Sequence, residues 1–215
     1  MKLNADFERT AFVAYATAEW QASPAPGVDR RMLDRIGDEV ARATSIVRYA
    51  PGSAFAAHTH DLGEEFYVLE GVFQDEHGDY PQGSYVRNPP TSRHTPRSDA
   101  GCTIFVKLRQ FEPDDRRTVC LRPDDIVFAE VAPGIGEAVL FDDAHEQVRL
   151  LRLAPGARTE IGAAGISELL LVEGRLRAGA HAMGARDWLR LPAAASVTVQ
   201  ADPDAGALVW IKRRV

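Results

Sequence analysis

An internal repeat limits the folds open to this sequence more than any other feature. Four segments recur in the same order 103 to 105 residues later: residues 48–52, 65–71, 85–89 and 101–107 return as residues 152–156, 168–174, 188–192 and 206–212. The shifts of one or two residues fall between the segments, where loops are expected. A repeat of this kind predicts that one structural unit occurs twice along the chain.

Each copy of the repeat has the pattern of an all-β unit. Short runs rich in Val, Ile, Phe, Tyr and Leu alternate with turn signals, such as Pro51-Gly52 and residues 76–79. Short, closely spaced strands of this kind are typical of a sandwich or a small barrel. We therefore predict an all-β chain that forms two tandem barrels and contains little helix.

The division between the two units is expected near residues 112–125, which are rich in proline and charged residues. The predicted domains are residues 1–115, a barrel with an N-terminal extension, and residues 116–215, a second barrel. One short amphipathic helix is predicted within residues 29–42, although Gly37 weakens it. Its apolar positions have helical spacing: Met32, Leu33, Ile36 and Val40.

Charge and cysteine content restrict the partners. The chain carries 25 Lys and Arg against 31 Asp and Glu, a formal net charge of −6. Such a field repels nucleic-acid phosphates and anionic lipid, so we expect a small-molecule partner and neither nucleic acid nor a membrane. Without a signal sequence or a long apolar run, the protein is predicted to be cytoplasmic. The sequence does not decide whether the protein forms a homodimer.

Cys102 and Cys120 lack the spacing of a zinc or redox pair, and both are expected to be reduced.

Three histidines and one carboxylate form a candidate metal site. His58 and His60 lie two residues apart in the run 54–60, which is predicted to be a strand, so their side chains share one face. Glu64 follows four residues later, and His94 lies behind a Pro-Pro turn on another predicted strand. Neutral imidazole and carboxylate suit one divalent transition metal such as Fe, Zn, Ni or Mn. An isolated His-x-His is more often a surface or packing feature, so the surrounding spacing decides.

That spacing resembles a known family. The patterns Gly52-x5-His58-x-His60-x3-Glu64-x6-Gly71 and Gly83-x5-Pro89-x-Thr91-x2-His94 are similar to the two signature motifs of the cupin superfamily. The resemblance implies a cupin-type barrel, a double-stranded β-helix or jelly roll, and metal ligands at the three histidines and the glutamate. Thr91 replaces a motif glycine and Ser98 replaces the closing asparagine. Residues 48–52, 63–66, 75–80 and 87–90 resemble the ChrR-like cupin family, with a likeness that spans residues 4–110.

The second copy of the repeat serves as an internal control for the ligands. At the positions of His58, His60, Glu64 and His94 it has Gly162, Ala164, Ser167 and Val197. Joint loss of all four side chains favours one metal site in the first unit. Glu65, in contrast, keeps its counterpart as Glu168, and we therefore expect Glu65 to form a salt link at a sheet edge or between strands.

Further candidates follow from the same comparison. Tyr67, Asn88 and Arg93 become Leu170, Leu191 and Ser196. Since ligating histidines usually need an outer hydrogen-bond partner, these three residues are candidates for supporting the ligands or contacting a substrate. Four charged residues recur in both copies and are expected to be structural or surface charges: Arg48, Arg87, Glu70 and Lys107.

The resemblance implies two main functions. Some ChrR-like cupins are similar to aryl-ketone dioxygenases, which favours a metal-dependent, dioxygenase-like enzyme for a small oxygenated organic molecule; no separate catalytic acid or base stands out. The alternative is a regulatory or stress-sensing cupin related to an anti-sigma factor. Sigma-factor binding there uses a separate domain with a His and Cys zinc site, whereas the first 40 residues here contain neither residue type. A metal-binding module without turnover is the third alternative.

Overall fold

The computed structural model describes residues 1–214, whose regular secondary structure consists almost entirely of antiparallel strands. The first strands are β1 (Lys2–Leu3), β2 (Ala11–Val13), β3 (Gln21–Ala22), β4 (Val28–Gly37), β5 (Ala41–Tyr49), β6 (Ser53–Ala54), β7 (His58–Thr59), β8 (Glu64–Asp75), β9 (Gly78–Pro81), β10 (Tyr85–Asn88), β11 (Arg93–His94), β12 (Arg97–Ser98), β13 (Cys102–Leu108) and β14 (Val119–Leu121). After a single 3-10 turn at Pro123–Asp125 come β15 (Ala129–Ala132), β16 (Ile135–Asp142), β17 (Glu146–Leu153), β18 (Arg158–Gly162), β19 (Ile166–Ala178), β20 (His181–Gly184), β21 (Trp188–Leu191), β22 (Ser196–Ala201) and β23 (Ala207–Arg214). The all-β prediction is confirmed.

The Cα positions group into two compact units. Unit 1 comprises Met1–Ala5 and Glu19–Asp125, and unit 2 comprises Asp6–Ala18 and the chain from Ile126 onward. The N-terminal strand β2 belongs to unit 2 because it pairs with β21. The predicted domains, residues 1–115 and 116–215, stay a prediction, since compactness alone does not test where the chain separates into folding domains.

Both units use the same strand order. The main sheet of unit 1 runs β1-β4-β5-β13-β8-β10-β14, and that of unit 2 runs β15-β16-β17-β23-β19-β21-β2. The smaller pairs also correspond, because β6-β12 and β8-β9 in unit 1 match β18-β22 and β19-β20 in unit 2. The sequence repeat is therefore a structural repeat.

Strand alternation gives each main sheet a core face and an opposite face. In unit 1, Phe66 and Val68 of β8 pack into one buried cluster with Phe73 and with Ile104 and Val106 of β13. The corresponding cluster of unit 2 is aliphatic and includes Leu151, Leu169, Leu171, Val209 and Ile211. Glu64 lies two residues before Phe66, so the strand directs the Glu64 side chain to the core face of unit 1.

A buried row of charges, which we call the charged ladder, lies on the opposite face of each main sheet. Each ladder places one Glu between an Arg and a Lys of the neighbouring strands: Glu65, Arg87 and Lys107 in unit 1, and Glu168, Arg190 and Lys212 in unit 2. All six residues are at most 1% exposed. Arg87 Nη1 lies 3.3 Å from Glu65 Oε2, and Arg87 Nη2 donates to Asp115 at 2.8 Å. The predicted salt link of Glu65 between strands is confirmed.

The helix predicted within residues 29–42 is wrong, because these residues form β4 and the start of β5. The pairing of β4 with β5 shifts register between Met32 and Asp34. A bulge of this kind inserts one residue and changes the phase of the strand, which makes its apolar spacing resemble a helix. Val40, which completed the supposed apolar face, is 71% exposed.

The strand predicted over residues 54–60 is interrupted. β6 ends at Ala54 and β7 contains only His58 and Thr59. The two short strands have different partners, since β6 pairs with β12 and β7 pairs with β11. The interruption lets the chain leave one sheet and join a separate two-stranded pair that carries two of the candidate ligands.

Two other expectations concern the membrane and the thiols. Within residues 1–214, no helix has both the length and the apolar character needed to cross a bilayer. Cys102 and Cys120 are both free thiols. Cys102 is buried in β13, as predicted, and Cys120 is exposed. Burial raises the pKa of the Cys102 thiol to about 11, which keeps it protonated and unreactive at neutral pH.

Candidate metal centre

Short pairings between loops and strands place the three histidines of unit 1 together. His58 of β7 lies directly opposite His94 of β11. His60 follows β7 and is fixed by two backbone bonds, since its N–H donates to Ser92 O at 2.9 Å and its carbonyl accepts from the Thr91 N–H at 2.8 Å. Glu64 opens the next strand, β8. Residues that are 36 positions apart in sequence thus reach one point.

The four side chains converge closely. One ligand atom from each of His58, His60, Glu64 and His94 lies within 4.8 Å of the other three. The imidazole centroids are 4.7 to 5.0 Å apart. Glu64 Oε2 is 3.7 Å from His60 Nε2, and Glu64 Oε1 is 3.4 Å from His94 Nε2. Atoms at bonding distances of about 2.0–2.2 Å around one ion have separations of this size.

Each histidine is oriented by a hydrogen bond at its Nδ1 atom. The partners are Ala56 O for His58 at 3.0 Å, Ser92 Oγ for His60 at 3.0 Å and Asp75 Oδ2 for His94 at 3.2 Å. These bonds leave the Nε2 atoms to face the centre. Such outer partners are what fixes the tautomer and orientation of a ligating histidine.

The atoms that face the centre include buried atoms without hydrogen-bond partners. His60 Nε2, His94 Nε2 and Glu64 Oε1 are buried and unpaired among the described residues. A buried polar atom without a partner costs about 1–3 kcal/mol, and a cation coordinated by all three would remove that cost. Three imidazole nitrogens and one carboxylate suit a divalent transition metal such as Zn, Fe, Ni or Mn. The residues present therefore fit the predicted ion.

The electrostatics of the two buried histidines differ. Burial lowers the pKa of His60 below its ordinary value, and the opposing charge of Glu64 does not fully compensate. Burial also disfavours the charged form of His94, but the hydrogen bond with Asp75, together with the charge of Glu64, raises its pKa overall. Asp75 is the cause of the difference between the two rings. Its own pKa is lowered despite burial, because His94, the His77 N–H and Tyr80 all donate to it.

Sequence reasoning missed Asp75 and Ser92, although the repeat contains a signal for both. Their counterparts in the second copy are Ala178 and Ala195, so both polar groups are absent where the metal ligands are absent. Asp75 pairs with Gly78 and Ala178 pairs with His181, which confirms that Asp75 and Ala178 occupy corresponding positions. The polar pair Asp75 and His94 becomes an apolar pair in unit 2.

We expect Asp75→Asn to weaken metal binding by about 10–100-fold. The amide keeps the shape of the side chain but removes the charge that strengthens His94 as a ligand. A titration against a metal chelator measures the affinity. The matched control is Asp79→Asn, which changes an exposed carboxylate of the same hairpin that accepts from Gln74. Equal affinities for the two variants would contradict this role for Asp75.

The structure places the three further candidates differently. Asn88 lies directly opposite Glu64 in the β10–β8 pairing, on the same face, and its Nδ2 atom is buried without a partner. Tyr67 is displaced by three residues from Glu64 along β8, so alternation directs it to the opposite face. Arg93 precedes His94 in β11 and is exposed. The structure therefore brings Asn88 to the four candidate ligands and does not bring Tyr67 or Arg93 to them.

A cavity of about 510 Å³ opens beside the candidate ligands. His58, His60 and Glu64 form part of its wall. The remaining wall is largely apolar and includes Val47, Tyr49, Phe55, Ile104, Val106 and Leu108. Arg109 and Asp61, which also border the cavity, form an ion pair at 2.8 Å. The centre is thus accessible from one apolar chamber of the size of a small-molecule site.

The pairing of β18 with β22 corrects two of the predicted counterparts in the second copy. Val197 corresponds to His94 and lies opposite Ile161, so Ile161, not Gly162, corresponds to His58. The Ala163 N–H donates to Ala195 O as the His60 N–H does to Ser92 O, so Ala163, not Ala164, corresponds to His60. The error of one residue arose in the loop. Neither change supplies a metal ligand, and Ile161 belongs to the core cluster of unit 2.

The two departures from the motifs have structural explanations. Thr91 has a φ of +75°, a conformation that favours glycine, and its counterpart Ala194 has a φ of +63°. Both units therefore keep a left-handed turn despite the side chain. Ser98 is fully buried, and its hydroxyl donates to Val72 O at 2.6 Å. Neither substitution disturbs the four candidate ligands.

Comparison with known proteins gives one family and many solved structures. Residues 8–112 match the family described as the ChrR Cupin-like domain. No curated protein sequence matches the chain. A candidate dioxygenase from Nostoc punctiforme is 15% identical with a TM-score of 0.77, over 97% of this chain and 83% of that chain.

Two further structures have similar coverage. The pirin YhhW from Escherichia coli, in complex with nickel(II), is 13% identical with a TM-score of 0.72, over 95% of this chain and 98% of that chain. The oxalate decarboxylase of Lactobacillus farciminis, in a formate complex, is 11% identical with a TM-score of 0.68, over 95% of this chain and 86% of that chain. At these identities the similarity shows the fold, and it confirms the predicted fold class.

Proposed function

Residues 8–112 belong to the cupin superfamily, and from that premise we propose that unit 1 is a metal-dependent enzyme acting on a small oxygenated organic molecule, with dioxygenase-type chemistry. The observation that carries the proposal is the set of buried, unpaired ligand atoms facing an apolar chamber. The similarity to a candidate dioxygenase and to a nickel-bound pirin is consistent with it.

The chemistry would be divided between the ion and the chamber. A divalent transition metal supplies Lewis acidity and, if it is redox-active, electron transfer. His58, His60, Glu64 and His94 would hold it. The apolar walls would exclude water and bind the carbon skeleton of the substrate.

Tyr49 supplies a polar group within the apolar wall. Its ring contacts Phe55 and Phe73 edge-on at 5.8 and 5.7 Å. Its hydroxyl makes no hydrogen bond with the described residues, although a buried tyrosine usually has a partner. Burial, and then the negative charge of Glu64, raise the pKa of Tyr49 well above its ordinary value. The phenol therefore stays protonated, and we propose that it donates to an oxygen atom of the substrate. In unit 2 the corresponding residue is Leu153.

Purified protein tests the proposed function directly. Metal content is measured by elemental analysis, and oxygen uptake is then measured after loading with Fe(II), Mn(II), Ni(II) or Zn(II), with a panel of aryl ketones and 1,3-diketones. We expect oxygen consumption matched by product formation, and none in the His94→Ala variant. Stoichiometric metal without turnover of any panel member would oppose the enzymatic proposal.

We expect Tyr49→Phe to lower kcat/KM by about two- to tenfold, because one hydrogen bond contributes roughly 0.5–1.5 kcal/mol. The metal content should not change, since the hydroxyl is not a ligand. Tyr15→Phe is the matched control, because Tyr15 belongs to unit 2, where it contacts Arg186. An unchanged kcat/KM in Tyr49→Phe would exclude a substrate contact for this hydroxyl.

The match to the ChrR cupin-like domain favours a second candidate. In this alternative, unit 1 is a regulatory or stress-sensing module that binds metal without turnover. Between a sigma factor and a small molecule we favour the small molecule as the partner, because the chamber beside the candidate ligands has the size of a small-molecule site. Tight binding of a sigma factor together with inactivity toward all substrates would establish this alternative in place of the enzyme.

Four finer assignments belong to the same proposal. Asn88 would donate to Glu64 and orient its carboxylate, given its position opposite that residue. The partner is expected to be a small molecule, with neither nucleic acid nor a membrane involved, and the protein is expected to act in the cytoplasm. A homodimer stays a prediction that sedimentation would test.

A further inference from the structure

The row of main-sheet residues that contains Glu64 in unit 1 has the opposite charge pattern in unit 2. In unit 1, Glu64 lies on the core face with Leu108 opposite it on β13. In unit 2 the corresponding row contains Ser167 with Arg213 opposite it on β23. A carboxylate is thus replaced by a neutral hydroxyl, and an aliphatic side chain by a guanidinium. A row that favours a cation in unit 1 favours an anion in unit 2.

These two side chains line a separate cavity of about 270 Å³. Ser167 is 1% exposed, and its hydroxyl has no hydrogen-bond partner. The Arg213 Nε atom is also buried and unpaired, although Nη2 donates to Gln147 Oε1 at 2.7 Å. A buried donor without a partner is costly, and residues directly opposite on antiparallel strands have Cβ atoms about 4.5–5.5 Å apart. One bound group can therefore contact both side chains.

The other charged side chains around this cavity already make polar contacts. Arg149 donates to Glu137 at 2.9 Å, so these two residues neutralise one another. Glu160 is exposed and accepts a hydrogen bond from Ser196. Arg213 forms no ion pair with a carboxylate within the described part of the chain. It is therefore the positive charge at this cavity that remains available for a ligand.

The rest of the wall is suited to a short apolar group. It includes Val131, Ile135, Leu151, Ile161 and Ile211. The volume is slightly below the range of about 300–1,000 Å³ that is usual for ligand pockets, which restricts the ligand to a small molecule. Because Ile161, Ala163 and Val197 stand where unit 1 has its histidines, a transition metal has no ligand set here.

We infer that unit 2 binds a small organic monocarboxylate, with the carboxylate group on Arg213 and Ser167 and the apolar body against the aliphatic wall. Guanidinium forms charge-assisted hydrogen bonds with carboxylate, which are stronger than neutral ones, and the hydroxyl supplies one more donor. The inference does not rest on the function proposed for unit 1.

Calorimetric titration of the full chain with benzoate, benzamide and benzylamine tests this site. These probes have similar size but carry negative, zero and positive charge. We expect benzoate to bind at least about tenfold more tightly than the other two, a difference of about 1.4 kcal/mol. Benzoate binding should fall at least about tenfold in Arg213→Leu, which introduces the residue found in unit 1, and by a smaller factor in Ser167→Ala.

Two controls locate the binding. Arg177→Leu removes an exposed positive charge of the same unit outside this cavity, and benzoate should bind it as it binds the wild type. His94→Ala should also retain benzoate binding, because the metal centre lies in unit 1. Loss of binding in His94→Ala with retention in Arg213→Leu would assign benzoate to the metal centre and overturn the inference. Absence of benzoate binding at millimolar concentrations would overturn it as well.

Discussion

Replacing His94 by alanine will remove most of the bound metal while unit 1 stays folded. His94 is 2% exposed and lies opposite His58, where it faces Glu64. Loss of even an outer partner of a ligand lowers metal affinity by about 10–100-fold, so loss of the ligand itself should lower it by more than about 100-fold. Elemental analysis of purified protein measures occupancy, and circular dichroism measures the strand content.

The controls for His94→Ala separate coordination from folding. His77→Ala removes an exposed imidazole of the neighbouring hairpin and should leave the metal content unchanged. The double variant Asp75→Ala/His94→Val introduces the pair that unit 2 carries as Ala178 and Val197, and it avoids a buried carboxylate without its partner. Retention of the metal in both the single and the double variant would show that these side chains do not form one metal centre.

Replacing Arg87 by methionine will destabilise unit 1 by about 3–5 kcal/mol. Arg87 is 1% exposed, and its guanidinium stacks on Phe111 at 4.1 Å. Removal of the charge takes the guanidinium away from two carboxylates, Glu65 at 3.3 Å and Asp115 at 2.8 Å, and Glu65 is itself 1% exposed. Removing one member of a buried ion pair costs far more than the intact pair contributes. Urea denaturation gives the free energy of unfolding.

The matched control for Arg87→Met is Arg48→Met. Arg48 pairs with Asp29 at 2.8 Å, but the two side chains are 49% and 38% exposed. Exposed pairs of this kind contribute about 0–1 kcal/mol, so this variant should unfold at nearly the urea concentration of the wild type. Similar effects of the two substitutions would mean that burial does not decide the importance of the charged ladder.

Much of the architecture could be predicted from the sequence, because the repeat compares the chain with itself. The presence of two similar all-β units and the preference for Glu64 over Glu65 follow from which residues occur in both copies. The helix within residues 29–42 was predicted wrongly because a bulge disturbs the two-residue period of β4. Hydrophobic spacing alone does not distinguish a bulged strand from a short helix.

The environment of the site was less accessible from the sequence. Asp75 reaches His94 only because the β8–β9 hairpin returns beside β11, a contact that depends on tertiary structure. Tyr67 and Asn88 differ between the copies to the same extent, yet they lie on different faces because their strand positions differ in parity. A comparison of two copies identifies what changed, whereas the pairing register decides where each change is located.

The two faces of each main sheet differ in how far their residues change from one unit to the other. Both units keep the charged ladder, while the core face holds polar ligands in one unit and aliphatic packing in the other. The scaffold therefore does not depend on a metal to hold its strands together. Redesign of the inner residues of either unit, including transfer of the four ligands with Asp75 and Ser92 into unit 2, could exchange one chemistry for another without rebuilding the fold.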